Sequence, residues 1–319
     1  MQLVVTVLLA VGGLQFVAWV AHFRYGTPYV PLPSSVEAFL PLSALVGVKA
    51  WVSTGYVPAV HPAAFVLFVG VLATAVVVQR GVCSWACPVG FLQERLRLVA
   101  ESIGISRRRP PELLDWGLRS IKYLVLAFFL QVIAFDFSGA DAIAFLQSPY
   151  NAVSAVKMLD FWLAPSPAVV VTVGLLVLGT VFVEDVWCRY LCPYGALLAI
   201  VGRVSPVSID VERDRSACTD CGACTRACPN RIAIDELETV SNLECTRCST
   251  CIETCPEDAL TYSTLGRRVS PLAVGLAIVV LVGTAVLVGM ATGHWNSAVS
   301  YHEWGRLIQQ LDTVGHPPY

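Results

Sequence analysis

Charge is scarce in this chain. Of its 319 residues only 14% are Asp, Glu, Lys or Arg, while 56% are hydrophobic, a balance that excludes an ordinary soluble domain. The net charge of −2 gives no polybasic or polyacidic character, so nucleic acid is not an expected partner. Histidine is rarer still. His22, His61, His294, His302 and His316 are the full set, and none falls inside a long apolar run, which leaves no facing ligand pair for a haem within a helix bundle. There is no nucleotide-binding loop and no nucleophile placed beside a base, so a self-contained enzyme is not expected.

What the chain has instead is apolar length. Runs near 2–21, 62–79, 121–137, 167–187 and 270–291 each approach the ~20 residues that a helix needs to cross hydrocarbon. Five spans are the simplest count. Lys and Arg number 8 in 80–122 and 9 in 187–268, against 2 in 22–61, 1 in 138–166 and 1 in 292–319. The excess of positive charge on the cytoplasmic side of membrane proteins puts the first two segments inside and the C-terminal tail outside, at a prokaryotic inner membrane. Making 36–60 a sixth span would destroy that bias, and it contains Glu37 and Lys49, so it reads as interfacial or re-entrant. The first run has no basic leading segment and no clear cleavage site, and reads as a retained anchor.

A repeat runs through these elements. VVVQRGVCSWACPVGFL at 76–92 aligns with VFVEDVWCRYLCPYGAL at 181–197, so that Cys83, Cys87, Pro88, Gly90 and Leu92 recur as Cys188, Cys192, Pro193, Gly195 and Leu197. Both copies leave a span running inward, which makes the repeat parallel, with copies at about 30–97 and 135–202. Between them 89–122 reads as an amphipathic, Arg-rich surface segment, broken at Arg107-Arg108-Arg109-Pro110-Pro111.

The densest chemistry lies at 218–256. Cys218, Cys221, Cys224 and Cys228-Pro229 are repeated as Cys245, Cys248, Cys251 and Cys255-Pro256. That spacing belongs to bacterial two-cluster ferredoxins, in which the fourth cysteine of each run serves the other cluster. Cluster one then takes Cys218, Cys221, Cys224 and Cys255; cluster two takes Cys245, Cys248, Cys251 and Cys228. Gly222 fits the turn around a cubane, and Ser249 stands in its place in the second run. Structural zinc favours paired knuckles, and disulfides do not suit the cytoplasm. With all eight ligand positions filled, one-electron transfer is the expected role.

Cysteines four apart share a helix face, so Cys83, Cys87, Cys188 and Cys192 have two readings: small apolar packing residues, or a third metal, cluster or redox site. Arg80, Arg189, Glu184 and Asp185 flank them, either as interface markers or as charges tuning a redox centre. His22 and His61 read as polar outer surface, with an outer quinol site as the sharper reading. Trp295, Tyr301, Trp304 and Tyr319 mark the tail as interfacial or as a docking patch.

GVCSWACPVGFLQE, VWCRYLCPYGALL and the tandem cluster runs resemble the membrane polyferredoxins typified by NapH, NosR and CcoG, over about 60–265. The resemblance implies a mostly α, polytopic helix bundle with an inserted α+β two-cluster [4Fe-4S] ferredoxin module. It implies a carrier linking the quinol pool or a cytoplasmic reductant to a redox partner, such as a multi-subunit reductase. Its CcoG branch implies the alternative of an assembly factor that reduces or hands over a metal such as copper. Two departures from the pattern stand out: a span at 270–291 follows the module, and the additional domains of NosR and CcoG are absent. The expected organisation is a membrane region at 1–204, a cytoplasmic module at 205–266, and a last span with an outer tail at 267–319.

Overall fold

The apolar runs fold as helices, the form in which each backbone N–H and C=O finds a partner within its own segment. The computed structural model describes residues 1–105, 110–183 and 185–315. The run Arg107-Arg108-Arg109, Glu184, His316 and Tyr319 lie outside the described residues.

Among the described residues three helices are long and apolar enough to cross a membrane: Gln2–Tyr25, Glu112–Asp136 and Pro271–Ala291. Pro62–Val78 and Pro167–Val183 are as apolar but only 17 residues each, about 25 Å at 1.5 Å per residue. The second is joined through a 78° bend to Ser154–Leu163. Both begin with proline, which costs nothing at a first helical position because that N–H has no intrahelical acceptor. The helix from Glu112 starts well before the apolar run at 121, taking in Asp115, Arg119 and Lys122. What was read as surface segment is therefore partly helix of the bundle, because these charges have fixed partners, described below. The stretch at 36–60 holds a 14-residue helix, Pro41–Thr54, stopped at Gly55 in the left-handed conformation (φ 76°).

The chain divides into two compact units, residues 1–6, 71–126 and 174–282 in the first and 7–70, 127–173 and 283–319 in the second.

In the first unit, four short strands form one antiparallel sheet in the order β2-β1-β3-β4: β1 Asp210–Arg213, β2 Thr239–Val240, β3 Leu260–Thr264 and β4 Arg267–Val269. Val211 lies opposite both Val240 and Tyr262. The β3–β4 turn uses Leu265 and Gly266 at φ 50° and 73°, the mirror-image turn whose twist suits a two-residue hairpin. The inward face of the sheet packs Val211, Val240, Leu260 and Tyr262 together with Val78, Val274 and Ile278 from the helix ends. The module and those ends therefore share one hydrophobic core, so removing its apolar surface from water also fixes the module in place. The Ile209 N–H donates to the Val77 carbonyl at 2.7 Å, continuing the join in the backbone.

In the second unit, Val46 and Ala50 of Pro41–Thr54 pack with Ile133, Ala142 and Leu146. Gly139 permits the approach, since a Cβ there would stand 2.7 Å from the Thr54 methyl. His61, read from sequence as polar surface, is only 3% exposed. Its Nδ1 lies 3.2 Å from Glu37 Oε1 and its Nε2 2.9 Å from the Asn151 carbonyl. The other Glu37 oxygen accepts the Ala64 N–H at 3.0 Å, placing a carboxylate at the start of Pro62–Val78 where the helix dipole favours it. The tail also packs: in helix Tyr301–Gln309, Trp304, Leu307 and Ile308 are buried, and Trp304 meets Trp19 edge-on at 5.2 Å.

Candidate functional site

The first unit gathers all twelve cysteines, and all are free thiols. The eight of the module line two cavities. One is bordered by Cys228, Cys245, Cys248 and Cys251. The other is bordered by Cys218, Cys221, Cys224 and Cys255. In each, three cysteines come from one run and the fourth from the other.

Local geometry explains this. Both loops turn through two left-handed residues, Asp220 (φ 53°) and Gly222 (φ 65°) in the first, Arg247 (φ 53°) and Ser249 (φ 68°) in the second. A loop bent this way curls around a centre and turns its N–H groups inward. Ser249 bears a Cβ in a region that costs non-glycine residues energy. The Tyr262 hydroxyl holds it there, accepting the Ser249 N–H at 3.0 Å and lying 3.2 Å from its Oγ. Sequence reading found the substitution at 249 but not its support thirteen residues on. Burial pushes the Cys228 thiol up to about 11, with Cys251 also raised. Thiolates at these positions therefore need a positive partner of the kind iron supplies. Among the described residues no three His, Cys, Asp or Glu side chains gather as they do around a single metal ion.

The Cys-x-x-x-Cys-Pro-x-Gly motifs also become legible. Cys87 and Cys192 cap helices Pro88–Ser102 and Pro193–Val204, with proline at the start of each. The Gly195 N–H donates to Cys192 Sγ at 3.3 Å, whereas Cys87 makes no side-chain cap bond to its helix. Helix-terminal donors of this kind stabilise thiolate. Glycine is needed at the last position for space: a Cβ on Gly90 would stand 2.2 Å from the Cys83 carbonyl oxygen, and one on Gly195 3.3 Å from Arg80 Nη2. Gly90→Ala must move backbone and is expected to cost about 2 kcal/mol, whereas Gly195→Ala displaces only a side-chain end and costs less. Thermal unfolding in detergent checks that order.

The four motif cysteines act on one another electrostatically. Cys188 lies in the electrostatic field of Cys83, Cys87 and Cys192, and Gln93 Oε1, on the helix after Cys87, accepts the Cys188 N–H at 3.4 Å.

Arg80 and Arg189 do not lie at a wet interface; each is 2% exposed. Arg80 donates to Glu244 at 2.8 Å and to the Cys188 carbonyl at 3.2 Å. Lys122, fully buried, donates to both Glu244 oxygens at 2.7 Å. Burial alone would raise the Glu244 carboxyl, but the neighbouring cations Arg80 and Lys122 hold it below its ordinary range. Arg189 makes a two-point contact with Asp115 at 3.0 and 2.9 Å, and the Tyr190 hydroxyl donates to the same carboxylate at 2.6 Å. Arg119 pairs with Asp115 as well. Glu244, Lys122 and Asp115 carried no sequence signal. Only the bringing together of segments more than 70 residues apart reveals them.

Further hydrogen bonds join the motifs to the module. Ser84 donates to the Thr246 carbonyl at 2.6 Å, Trp85 Nε1 to the Arg247 carbonyl at 2.8 Å, and Arg189 to the Asn230 carbonyl at 3.1 Å. Each ends on the segment that supplies Cys228, Cys245 and Cys248. The Cys228/Cys245/Cys248/Cys251 quartet is thus proximal to the motifs, while Cys221 of the other quartet is exposed.

Comparison with known proteins agrees with this layout. A 4Fe-4S binding domain family matches twice, at residues 60–106 and 165–211, and a 4Fe-4S dicluster domain family matches at 210–263. YccM of Escherichia coli K12, named for electron transport, is 35% identical over 314 residues, covering 95% of this chain and 87% of YccM. The methylamine utilization ferredoxin-type protein MauN of Methylorubrum extorquens is 35% identical over 206 residues, 61% of this chain and 63% of MauN. The regulatory protein NosR of Stutzerimonas stutzeri is 32% identical over 169 residues, 52% of this chain but 22% of NosR. No solved structure matches the chain. With YccM matched along nearly its whole length and the iron–sulfur families on the cysteine motifs, the chain belongs to the NapH- and NosR-like family of ferredoxin-type membrane electron-transfer proteins.

Proposed function

We propose that this protein is a membrane-bound carrier with two [4Fe-4S] clusters, linking the quinol pool or a cytoplasmic reductant to a redox partner in a respiratory or maturation system. The observation that carries the reading is the pairing of cavity with quartet: Cys228, Cys245, Cys248 and Cys251 border one, and Cys218, Cys221, Cys224 and Cys255 the other. The clusters, when bound, supply one-electron transfer at fixed positions. The chain's part is to hold them with eight thiolates, to curl backbone N–H groups around them, and to exclude water from the proximal one.

In this reading the helices at Pro62–Val78 and Pro167–Val183 complete a set of five spans, the module at 205–266 lies in the cytoplasm, and the tail after 291 lies outside. The two domain matches, 105 residues apart like the paired motifs, favour a parallel duplication. The motif cysteines Cys83, Cys87, Cys188 and Cys192 form a further metal or redox site between the bundle and the module.

Potentiometric titration of membranes followed by EPR tests the function. Two cubane signals should appear on reduction, and their absence from iron-replete protein would overturn it. Reporter fusions test the sidedness: alkaline phosphatase should be active when fused at the tail and inactive within 205–266.

A further inference from the structure

We propose that Arg213 raises the reduction potential of the distal cluster, the one held by Cys218, Cys221, Cys224 and Cys255, with Asp220 as the opposing charge. This rests on the reading of the module as a cluster carrier and names a positioning residue within it.

The first support is where the guanidinium ends. Arg213 borders the cavity of the distal quartet, and its Nη1 donates to Cys218 Sγ at 3.6 Å. The second is how firmly it is held. Arg213 closes strand β1, where its backbone N–H donates to the Glu238 carbonyl at 2.8 Å and its Nε to the Leu237 carbonyl at 2.9 Å. Both ends of the side chain are therefore tied to the segment leading into β2. Only 6% of that side chain is exposed, so water and salt screen its charge weakly.

Asp220 works against it. Its Oδ1 lies 3.2 Å from Arg213 Nη1 and 3.6 Å from Cys218 Sγ. A thiolate bound to iron has no proton to give this carboxylate, and the two are then like charges. Yet Asp220 is 82% exposed, and solvent weakens its field at the sulfur more than it weakens that of the buried guanidinium. The cation outweighs the anion.

The second cysteine run does not repeat the device. The 27-residue offset that carries Cys218 to Cys245 carries Arg213 to Val240 and Asp220 to Arg247. Val240 has no charge, and the two terminal nitrogens of Arg247 go to the Val240 carbonyl at 2.9 Å and to Asp210. The effect of Arg213 is thus specific to the distal cluster. One-electron reduction, with the electron drawn from the quinol or cytoplasmic reductant, adds a negative charge to a cluster and its thiolates and breaks no bond. Arg213 stabilises that added charge through a charge-assisted hydrogen bond to sulfur.

Potentiometric EPR titration of the iron-replete, full-length protein tests the proposal, with Cys221→Ala identifying the distal signal by its loss. Arg213→Gln should shift the distal reduction equilibrium about tenfold toward the oxidised form, about 59 mV for one electron, and leave the proximal midpoint in place. Arg213→Lys, which keeps the charge, should recover most of that shift. Asp220→Asn should move the distal midpoint upward, and by less. A distal midpoint unmoved in Arg213→Gln, or both midpoints moving together, would overturn the proposal, as would Arg213→Lys shifted as far as Arg213→Gln. If Arg213→Gln sheds the distal irons, Asp220→Asn still decides: a distal midpoint that stays or falls there would overturn the balance of charges on which the role depends. A parent protein without two cubane signals would instead sink the reading of the module.

Discussion

Glu244→Ala is expected to be the most damaging single change outside the cysteines. Glu244 is 5% exposed and is the shared acceptor of Arg80 and Lys122. Removing it leaves two buried cations together, and breaking a buried pair from one side costs about 3–5 kcal/mol. The loss should therefore appear as a large fall in the unfolding midpoint in detergent. Glu244→Ala combined with Lys122→Met should recover part of it, since the second change removes one of the stranded charges. A cost below about 1 kcal/mol would show that the buried network is not what fixes the module to the helix ends. Because the folded protein holds the Glu244 carboxyl below its ordinary range, its contribution is present above the unfolded pKa. It fades as pH falls through the folded pKa, so acid should narrow the gap between Glu244→Ala and the parent.

Cys251→Ala is expected to combine loss of iron with loss of fold. Cys251 is 8% exposed and sits in the core with Val211, Val240 and Tyr262. Its removal should release about four irons, and because binding energy at a structural metal site is also folding energy, the sheet should lose stability with them. Cys221→Ala offers the contrast. Its thiol is exposed at the distal quartet, so the same iron loss should come with a smaller fall in stability. Iron analysis and near-UV circular dichroism on both variants separate the two effects, and equal destabilisation would argue against the proximal and distal distinction.

The contrast between these residues shows which features could be read in the sequence. The eight module cysteines stood out because their spacing is repeated along the chain, and Gly222 because the expected turn needs a residue free to take the left-handed conformation it has. Gly90 and Gly195 were visible as repeated letters, but their reason, a carbonyl oxygen and a guanidinium in the space of a Cβ, is a tertiary fact. Arg80 and Arg189 were noticed for their neighbours and misjudged for depth. An arginine at the end of an apolar run ordinarily reaches for water, and nothing in the sequence announces that Glu244 and Asp115 meet these two inside the protein. The same holds for Lys122, whose charge made 89–122 read as surface, and for His61, whose partner Glu37 lies in a stretch that pattern alone identified only as interfacial.

The account depends on cysteines from two separate runs crossing to share two clusters. Iron stoichiometry in Cys221→Ala, Cys255→Ala and the double variant tests this most directly. If Cys221 and Cys255 hold the same cluster, each single variant loses about four irons and the double loses no more. A double variant that loses about eight would place Cys255 on the other cluster and contradict the crossed arrangement.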